Sequence, residues 1–134
     1  MSVVAIRAAL EKRLDAMASP LATAWENQDF KPPSAKTPYQ RAWMLLATPD
    51  NPETGVGYRE LGFFQVTLFY PIQEGSGTAA ARAKLIREHF PRNLSLTQDG
   101  IVVTVDRTPE IGNGTVDEDR WTLPVKIPFH ANIF

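Results

Sequence analysis

The sequence lacks cysteine and is poor in histidine, and each shortage narrows the possible chemistry. Without cysteine the chain has no disulfides, no thiolate metal site and no cysteine nucleophile. Its two histidines, His89 and His130, have neither the HxH nor the HxxxH spacing of metal ligands. No serine lies in a nucleophile elbow either. We therefore predict a protein that is not an enzyme, with no catalytic residues, no metal and no cofactor.

Long apolar runs and an excess of charge are also missing. No stretch approaches the roughly 18 apolar residues of a membrane-spanning helix. The amino terminus carries Arg7 inside its apolar stretch, unlike a signal peptide, so we expect a protein that stays inside the cell that makes it. With 14 Lys and Arg against 15 Asp and Glu, the chain has no basic surplus for gripping nucleic acid. We predict no membrane partner.

Alternating and apolar segments predict a sheet. The clearest strand is 62–70, where Phe64 and the other even-numbered apolar residues share one side. Residues 39–47 are its predicted partner, and the turn-rich segment 48–57 forms the tip of a long hairpin between them. Phe63 and Phe69 fall on the otherwise polar side, either as a second core layer or as a surface covered by another subunit. Further strands are predicted at 21–26, 101–105 and 120–129.

Two helices interrupt these strands. Residues 3–18 have apolar side chains at spacings of three and four, which gives one apolar face. Residues 78–90 have a narrow stripe of alanines that ends at Phe90. Helices that interrupt a mainly antiparallel sheet without βαβ alternation predict an α+β fold, here as one domain over residues 1–134. Four basic residues on or just after the second helix are expected to form a solvent-exposed basic face: Arg82, Lys84, Arg87 and Arg92.

A Gly-Ser-Gly-Thr stretch at 75–78 resembles a phosphate-binding loop. A Walker loop needs lysine directly after its last glycine, whereas the nearest lysine here, Lys84, lies inside the predicted helix. A dinucleotide-binding loop needs glycine where Ala80 stands. We interpret the stretch as a joint between a strand and a helix, with Ser76 or Thr78 as the N-cap.

The strand at 120–129 carries two prolines, Pro124 and Pro128, on one side. Proline has no N–H to donate, and residues four apart direct their backbone toward the same neighbour. We predict that this side is a free edge of the sheet. The segment before it, 106–119, is predicted to be a long connection with an Asn-Gly turn. It ends in three acidic residues that we expect to be solvated: Asp117, Glu118 and Asp119.

Three long segments carry features of a known family. Residues 23–47 have a Trp-Glu-Asn opening, a Pro-Pro loop and a Pro-Tyr strand start. Residues 58–90 have an Arg-x-x-Gly-x-x-Gln strand, then Tyr-Pro, a glycine turn and an alanine-rich helix, and residues 100–132 end in a strand that alternates into Pro-Phe. Together the segments resemble the phage tail terminator family, small proteins of tailed phages and prophages.

The resemblance implies a structural subunit that forms a ring, expected to be a hexamer, on the end of a finished tail tube. Such a ring stops tube growth and offers a platform for joining the head. The implied partners are other copies of the chain, the tail tube protein and a head-completion or neck protein, with DNA only as passive cargo. The implied location is the host cytoplasm during assembly and then the head-proximal end of the virion tail.

A head-to-tail ring needs two unlike patches on each subunit. The candidates for this subunit interface are Phe63, Phe69, Arg82, Lys84, Arg87, Arg92, Asp117, Glu118 and Asp119. The loops 27–38 and 48–57 are candidates for contact with tube or head proteins, because binding residues concentrate on loops. Their candidate residues are Phe30, Lys31, Pro32, Pro33, Asp50, Asn51, Pro52 and Glu53. Two alternatives stay open: another neck or head–tail joining protein, and a small monomeric ligand-binding domain or enzyme.

Overall fold

The computed structural model describes residues 2–34, 36–51, 55–73, 75 and 77–134, without the side chain of Ser2. Within these residues the chain forms two helices and a mixed sheet of eight strands, which confirms the predicted α+β class. The helices are α1 (Ser2–Asp15) and α2 (Gly77–His89). The strands are β1 (Ala22–Trp25), β2 (Tyr39–Leu46), β3 (Tyr58–Pro71), β4 (Ser95–Gln98), β5 (Ile101–Val105), β6 (Glu110–Ile111), β7 (Thr115–Asp117) and β8 (Arg120–Ile133).

The centre of the sheet is a pair of long antiparallel strands, β3 and β8. They pair from Tyr58 opposite Ile133 to Pro71 opposite Arg120. The strands follow the order β1-β2-β3-β8-β5-β4. The predicted long hairpin is confirmed, because β2 pairs with β3 in antiparallel fashion. Strand β1 adds a parallel edge beside β2, and β4 forms the opposite edge beside β5.

Both helices cover one face of the sheet, and the core lies between them and that face. Helix α1 buries Ile6, Leu10 and Leu14, whose spacing of four residues puts them on one side. Helix α2 buries Ala79 and Ala83, whose small side chains let it lie close to the strands. Phe64 is fully buried in the same cluster. The alternation of β3 and the amphipathic pattern of both helices therefore correctly predicted the core.

The predicted free edge at the prolines of β8 is wrong, because β8 is a central strand. Three short strands, β5, β6 and β7, pair along the side that the prolines face. The backbone N–H of Asp106 donates to the carbonyl of Pro128, and that of Gly112 donates to the carbonyl of Pro124, both at 2.9 Å. Pro128 lies opposite the end of β5, and Pro124 lies opposite the end of β6. The missing N–H groups thus coincide with breaks in the neighbouring strand.

The connection predicted over 106–119 contains two short strands, β6 and β7. Its Asn-Gly pair does not make the tight turn, since neither Asn113 nor Gly114 has a positive φ. Gly114 instead makes room for an indole: a Cβ there would lie 2.0 Å from Cζ2 of Trp121. The tight turn between β7 and β8 falls at Glu118 and Asp119, where Glu118 has a φ of 54°.

Candidate interaction surfaces

The two histidines take part in structural contacts. His89 lies within 2.6 Å of the carbonyl oxygen of Arg13 through its Nε2, while the Arg13 guanidinium donates back to the His89 carbonyl at 2.8 and 3.0 Å. Burial lowers the pKa of His89, which favours the neutral ring. His130 Nδ1 lies 3.0 Å from a carboxylate oxygen of Asp106. Across the described residues, no group of three or more potential ligands is arranged to hold a metal ion.

The glycine stretch forms the joint that the sequence predicted. Gly75 has a φ of 76°, a conformation that favours glycine. Helix α2 begins at Gly77, so Thr78 lies inside the first turn and is not the N-cap. Ser76, the other predicted cap, lies outside the described residues.

Arg82 corrects the predicted basic face, because its side chain is buried at 7% exposure. Position 82 follows Ala79 by three residues, so it belongs to the covered side of α2. Its Nη1 donates to the carbonyl oxygens of Ala18 and Ser19 at 3.3 and 3.1 Å, just beyond α1. Burial lowers the pKa of this guanidinium. Arg82 therefore ties α2 to the segment after α1 and is not available to another subunit.

The other three basic residues of that face remain accessible. Lys84 and Arg92 are exposed, and Lys84 lies 3.9 Å from Glu88 in an exposed ion pair. Arg87 is half-buried, and its Nε donates to the carbonyl oxygen of Pro109 at 2.9 Å. We call these three residues, Lys84, Arg87 and Arg92, the basic patch.

The acidic residues form the end of the β7–β8 hairpin. Asp117, Glu118 and Asp119 are all exposed, as predicted. Val116, directly before them, is 64% exposed. We call residues 116–119 the acidic tip. A cavity of about 230 Å³ separates the tip from Pro32 and Pro33 on the loop 27–38.

Arg120 anchors the loop 27–38 to the sheet, a role that no local sequence pattern indicates. Its guanidinium donates to the carbonyl oxygens of Pro33, Ser34 and Thr37 at 2.9, 2.7 and 2.5 Å. It also lies 4.9 Å from the ring centroid of Tyr39. Three carbonyls satisfy the fork of one buried arginine, so this loop is held as part of the fold.

The two phenylalanines that the sequence left undecided have different surroundings. Phe69 is buried at 9% exposure and stacks on Tyr39 at 4.6 Å between ring centroids. It therefore belongs to a small second core layer under the loop 27–38, and it is not accessible as an interface residue. Phe63 is 40% exposed, with Lys126 Nζ at 5.9 Å from its ring centroid.

Phe63 lies on the uncovered face of the sheet. Strand register aligns Leu45, Phe63 and Pro128 in one row across β2, β3 and β8. Leu45 is 45% exposed, and the helices pack on the opposite face. We call this surface the open sheet face, and it consists of Trp43, Leu45, Leu61, Phe63, Lys126 and Pro128.

The candidate loop residues differ in how accessible they are. Phe30 packs against Tyr39 at 5.4 Å between centroids, whereas Lys31 and Pro32 are exposed and Pro33 is half-buried. In the hairpin loop, Asp50 exchanges two backbone hydrogen bonds with Arg59. Asn51 is exposed, and Pro52 and Glu53 lie outside the described residues.

Comparison with known proteins assigns the chain to a family. Residues 5–129 match the family described as phage tail terminator protein. The chain belongs to the phage tail terminator family. It is thus a structural protein of a phage-type tail or neck, which assembles with other virion components and is located in the virion tail. No helix in the described part of this tail terminator is long and apolar enough to cross a membrane.

Two solved structures are similar to this tail terminator along nearly its whole length. A protein without a descriptive name superposes with a TM-score of 0.81 at 32% identity, covering 100% of this chain and 98% of the other. A chain of the virion of a native gene transfer agent particle gives a TM-score of 0.66 at 16% identity, with 98% and 96% covered. At 16% identity the likeness indicates a shared fold. A comparison with curated proteins finds no match.

Proposed function

We propose that this tail terminator closes into a ring, expected to be a hexamer, on the head-proximal end of a finished tail tube. The ring stops tube polymerisation and gives the head-completion or neck protein a platform. The observation that carries this proposal is the presence of two unlike surfaces on one sheet, the open sheet face and the acidic tip. Contacts between unlike surfaces generate a closed ring when the rotation from one subunit to the next is suitable.

The surfaces fall into two groups with different proposed partners. Subunit contacts use Phe63, the acidic tip and the basic patch, while Arg82 and Phe69 act within the subunit. The tube and head proteins contact the loops, through Lys31 and Pro32 on one and Asp50 and Asn51 on the other. Arg120 holds the loop 27–38 through hydrogen bonds to three of its carbonyls. The loop therefore presents a preformed docking surface.

Ring formation is proposed to be reversible in solution. Exposed charge pairs contribute about 0–1 kcal/mol each, so the ring equilibrium depends on protein concentration and salt. The end of a tail tube binds several subunits at once and shifts this equilibrium toward the ring by mass action. The protein is therefore a monomer or a mixed population when dilute, and a ring on tubes.

DNA is proposed to pass through the ring without being gripped. The net charge of −1 supports this, because non-specific affinity for DNA rests on Lys and Arg. Fluorescence anisotropy with a DNA duplex at physiological salt tests it. A dissociation constant tighter than about 1 μM would contradict a passive conduit, since non-specific binding is usually weaker.

Tube assembly tests the proposal directly. Tail tube protein is polymerised with and without the terminator, and electron microscopy measures tube lengths while native mass spectrometry measures ring size. We expect shorter tubes capped by rings, and a weaker effect for Lys84→Glu with Arg92→Glu. Lys12→Glu, on α1 away from these surfaces, is the matched control. A protein that stays monomeric and leaves tube length unchanged is not a terminator, and binding only to the head-completion protein would favour the alternative neck role.

A further inference from the structure

We infer that the acidic tip of one copy docks on the open sheet face of the next copy. This inference rests on the ring proposed above and names the two surfaces that meet in it.

The open sheet face itself is apolar and basic. The outward-facing positions of β2, β3 and β8, all within described strands, carry Arg41, Arg59 and Lys126 and no carboxylate. The nearest carboxylates lie across β8 from β3, where Glu110 on β6 is opposite Lys126 and Asp106 contacts His130. Leu45 and Phe63, each exposed by 40% or more, give the face apolar surface to bury. A partner for this face needs negative charge and an apolar side chain together.

The acidic tip has both features. It carries three carboxylates in three consecutive residues, next to the exposed side chain of Val116. No ion pair within the described residues occupies Asp117, Glu118 or Asp119. The tip is the turn of a two-stranded hairpin, so its shape suits docking on a broad sheet face.

The tip cannot reach the face of its own chain. It lies beside Phe69, with which it lines the same cavity, whereas the face is centred on Phe63. Six residues of strand β3 separate these positions, about 20 Å at the usual rise of a β-strand. A second copy is therefore required to bring tip and face together. Because the two surfaces are unlike, the contact is head-to-tail, as a ring requires.

A charge-swap series tests the contact. Lys126→Glu should weaken self-association about tenfold in sedimentation velocity, because an attraction to the tip becomes a repulsion. Asp117→Lys should weaken it similarly, and the two changes in one chain should restore most of the association, which a general loss of folding would not do. Phe63→Ala should also weaken association, while Val4→Ala, an exposed truncation on α1, should not. No rescue in the double variant would overturn the inference.

Cross-linking identifies which surfaces meet. The chain has no cysteine, so a Leu45→Cys variant mixed with a Glu118→Cys variant can be bridged only at the introduced thiols by a short bis-maleimide. We expect dimers that contain one chain of each variant. Predominant Leu45→Cys homodimers would mean that two open faces pair with each other, and cross-links from Leu45→Cys to tail tube protein would mean that the tube covers this face. Either result would overturn the inference.

The outcomes separate this inference from the proposed function. If rings form and cap tubes but Lys126→Glu assembles like the unmodified protein, the tip-to-face contact is wrong and the terminator function stands. If no variant and no concentration gives a ring, the proposed ring itself is wrong.

Discussion

The two faces of the central sheet have the same strands but opposite surroundings. On the covered face, Phe64, Val66 and Leu68 are fully buried beneath the helices. On the other face, Phe63 and Gln65 alternate with them along β3 and face outward. One strand thus contributes to the stability of the subunit through one set of side chains and presents a surface through the other. We therefore expect substitutions on the covered face to change folding and substitutions on the other face to change assembly.

Neighbouring phenylalanines on β3 give the sharpest test of this separation. Phe64→Ala should lower the free energy of unfolding by about 3–5 kcal/mol, because it leaves a cavity in the core. Phe63→Ala should lower it by less than about 1 kcal/mol, since that side chain is 40% exposed. Urea unfolding followed by tryptophan fluorescence measures both. Equal losses of unfolding free energy would mean that both faces contribute to the stability of the subunit, contrary to the proposal.

Near Arg120, the outer side of the sheet is covered by the loop 27–38 of the same chain. Arg120→Ala removes a buried guanidinium that satisfies three loop carbonyls, and we expect a loss of about 2–3 kcal/mol in the free energy of unfolding. Hydrogen exchange should become faster in the loop 27–38. Arg120→Lys should recover only part of the stability, because lysine lacks the planar fork. Arg92→Ala is the exposed control and should change neither measurement.

Much of this comparison was predictable from the sequence. The alternation of 62–70 identified the covered side of β3, and the spacing of apolar residues identified both helices, because burial on one side imposes a period. The same pattern placed Phe63 and Phe69 together on the outer side. It did not separate them, since Phe69 is buried by Tyr39 and by a loop that is distant in sequence.

The two wrong predictions, the free edge at β8 and the exposed Arg82, have a common physical cause. The prolines of β8 show that two N–H donors are missing from one side of the strand. A free edge explains this pattern, but so does a neighbouring strand that is interrupted opposite each proline, as it is here. The helical pattern places Arg82 off the apolar stripe and on the basic face, although its side chain is buried beside Ala79 and Ala83. Its partners, the carbonyls of Ala18 and Ser19, belong to a turn that local patterns cannot bring to it. Long-range contacts decided each of these cases.

Arg82 and Lys84 test the same separation on the helical side. Arg82→Ala should lower the free energy of unfolding by about 1–2 kcal/mol, because it frees the carbonyls of Ala18 and Ser19. The loss is limited because the guanidinium is desolvated and its Nε has no hydrogen bond in the described structure. Lys84→Ala should leave stability unchanged and act only on assembly. Thermal unfolding and sedimentation velocity, measured on both variants, distinguish the two effects.

The smallest expected effect concerns pH and the contact between the two helix ends. Burial lowers the pKa of His89 below its usual 6.5, and the charges of Arg13 and Arg82 lower it further, while the hydrogen bond to the Arg13 carbonyl opposes them. As the pH falls through 6.5, the unfolded chain therefore takes up a proton at His89 that the folded chain does not. Stability contributed by the neutral ring is fully present above that pH and decreases until the folded pKa is reached.

His89→Gln should remove this decrease, because glutamine does not titrate. The measurement is urea unfolding at several pH values on either side of 6.5, with His130→Gln as the matched control on the opposite side of the sheet. The prediction fails if the free energy of unfolding of the unmodified protein does not change with pH, or if His89→Gln shows the same change. Either result would mean that the contact between Arg13 and His89 does not depend on the neutral ring. In that case the two helix ends would be held by the Arg13 guanidinium on the His89 carbonyl alone.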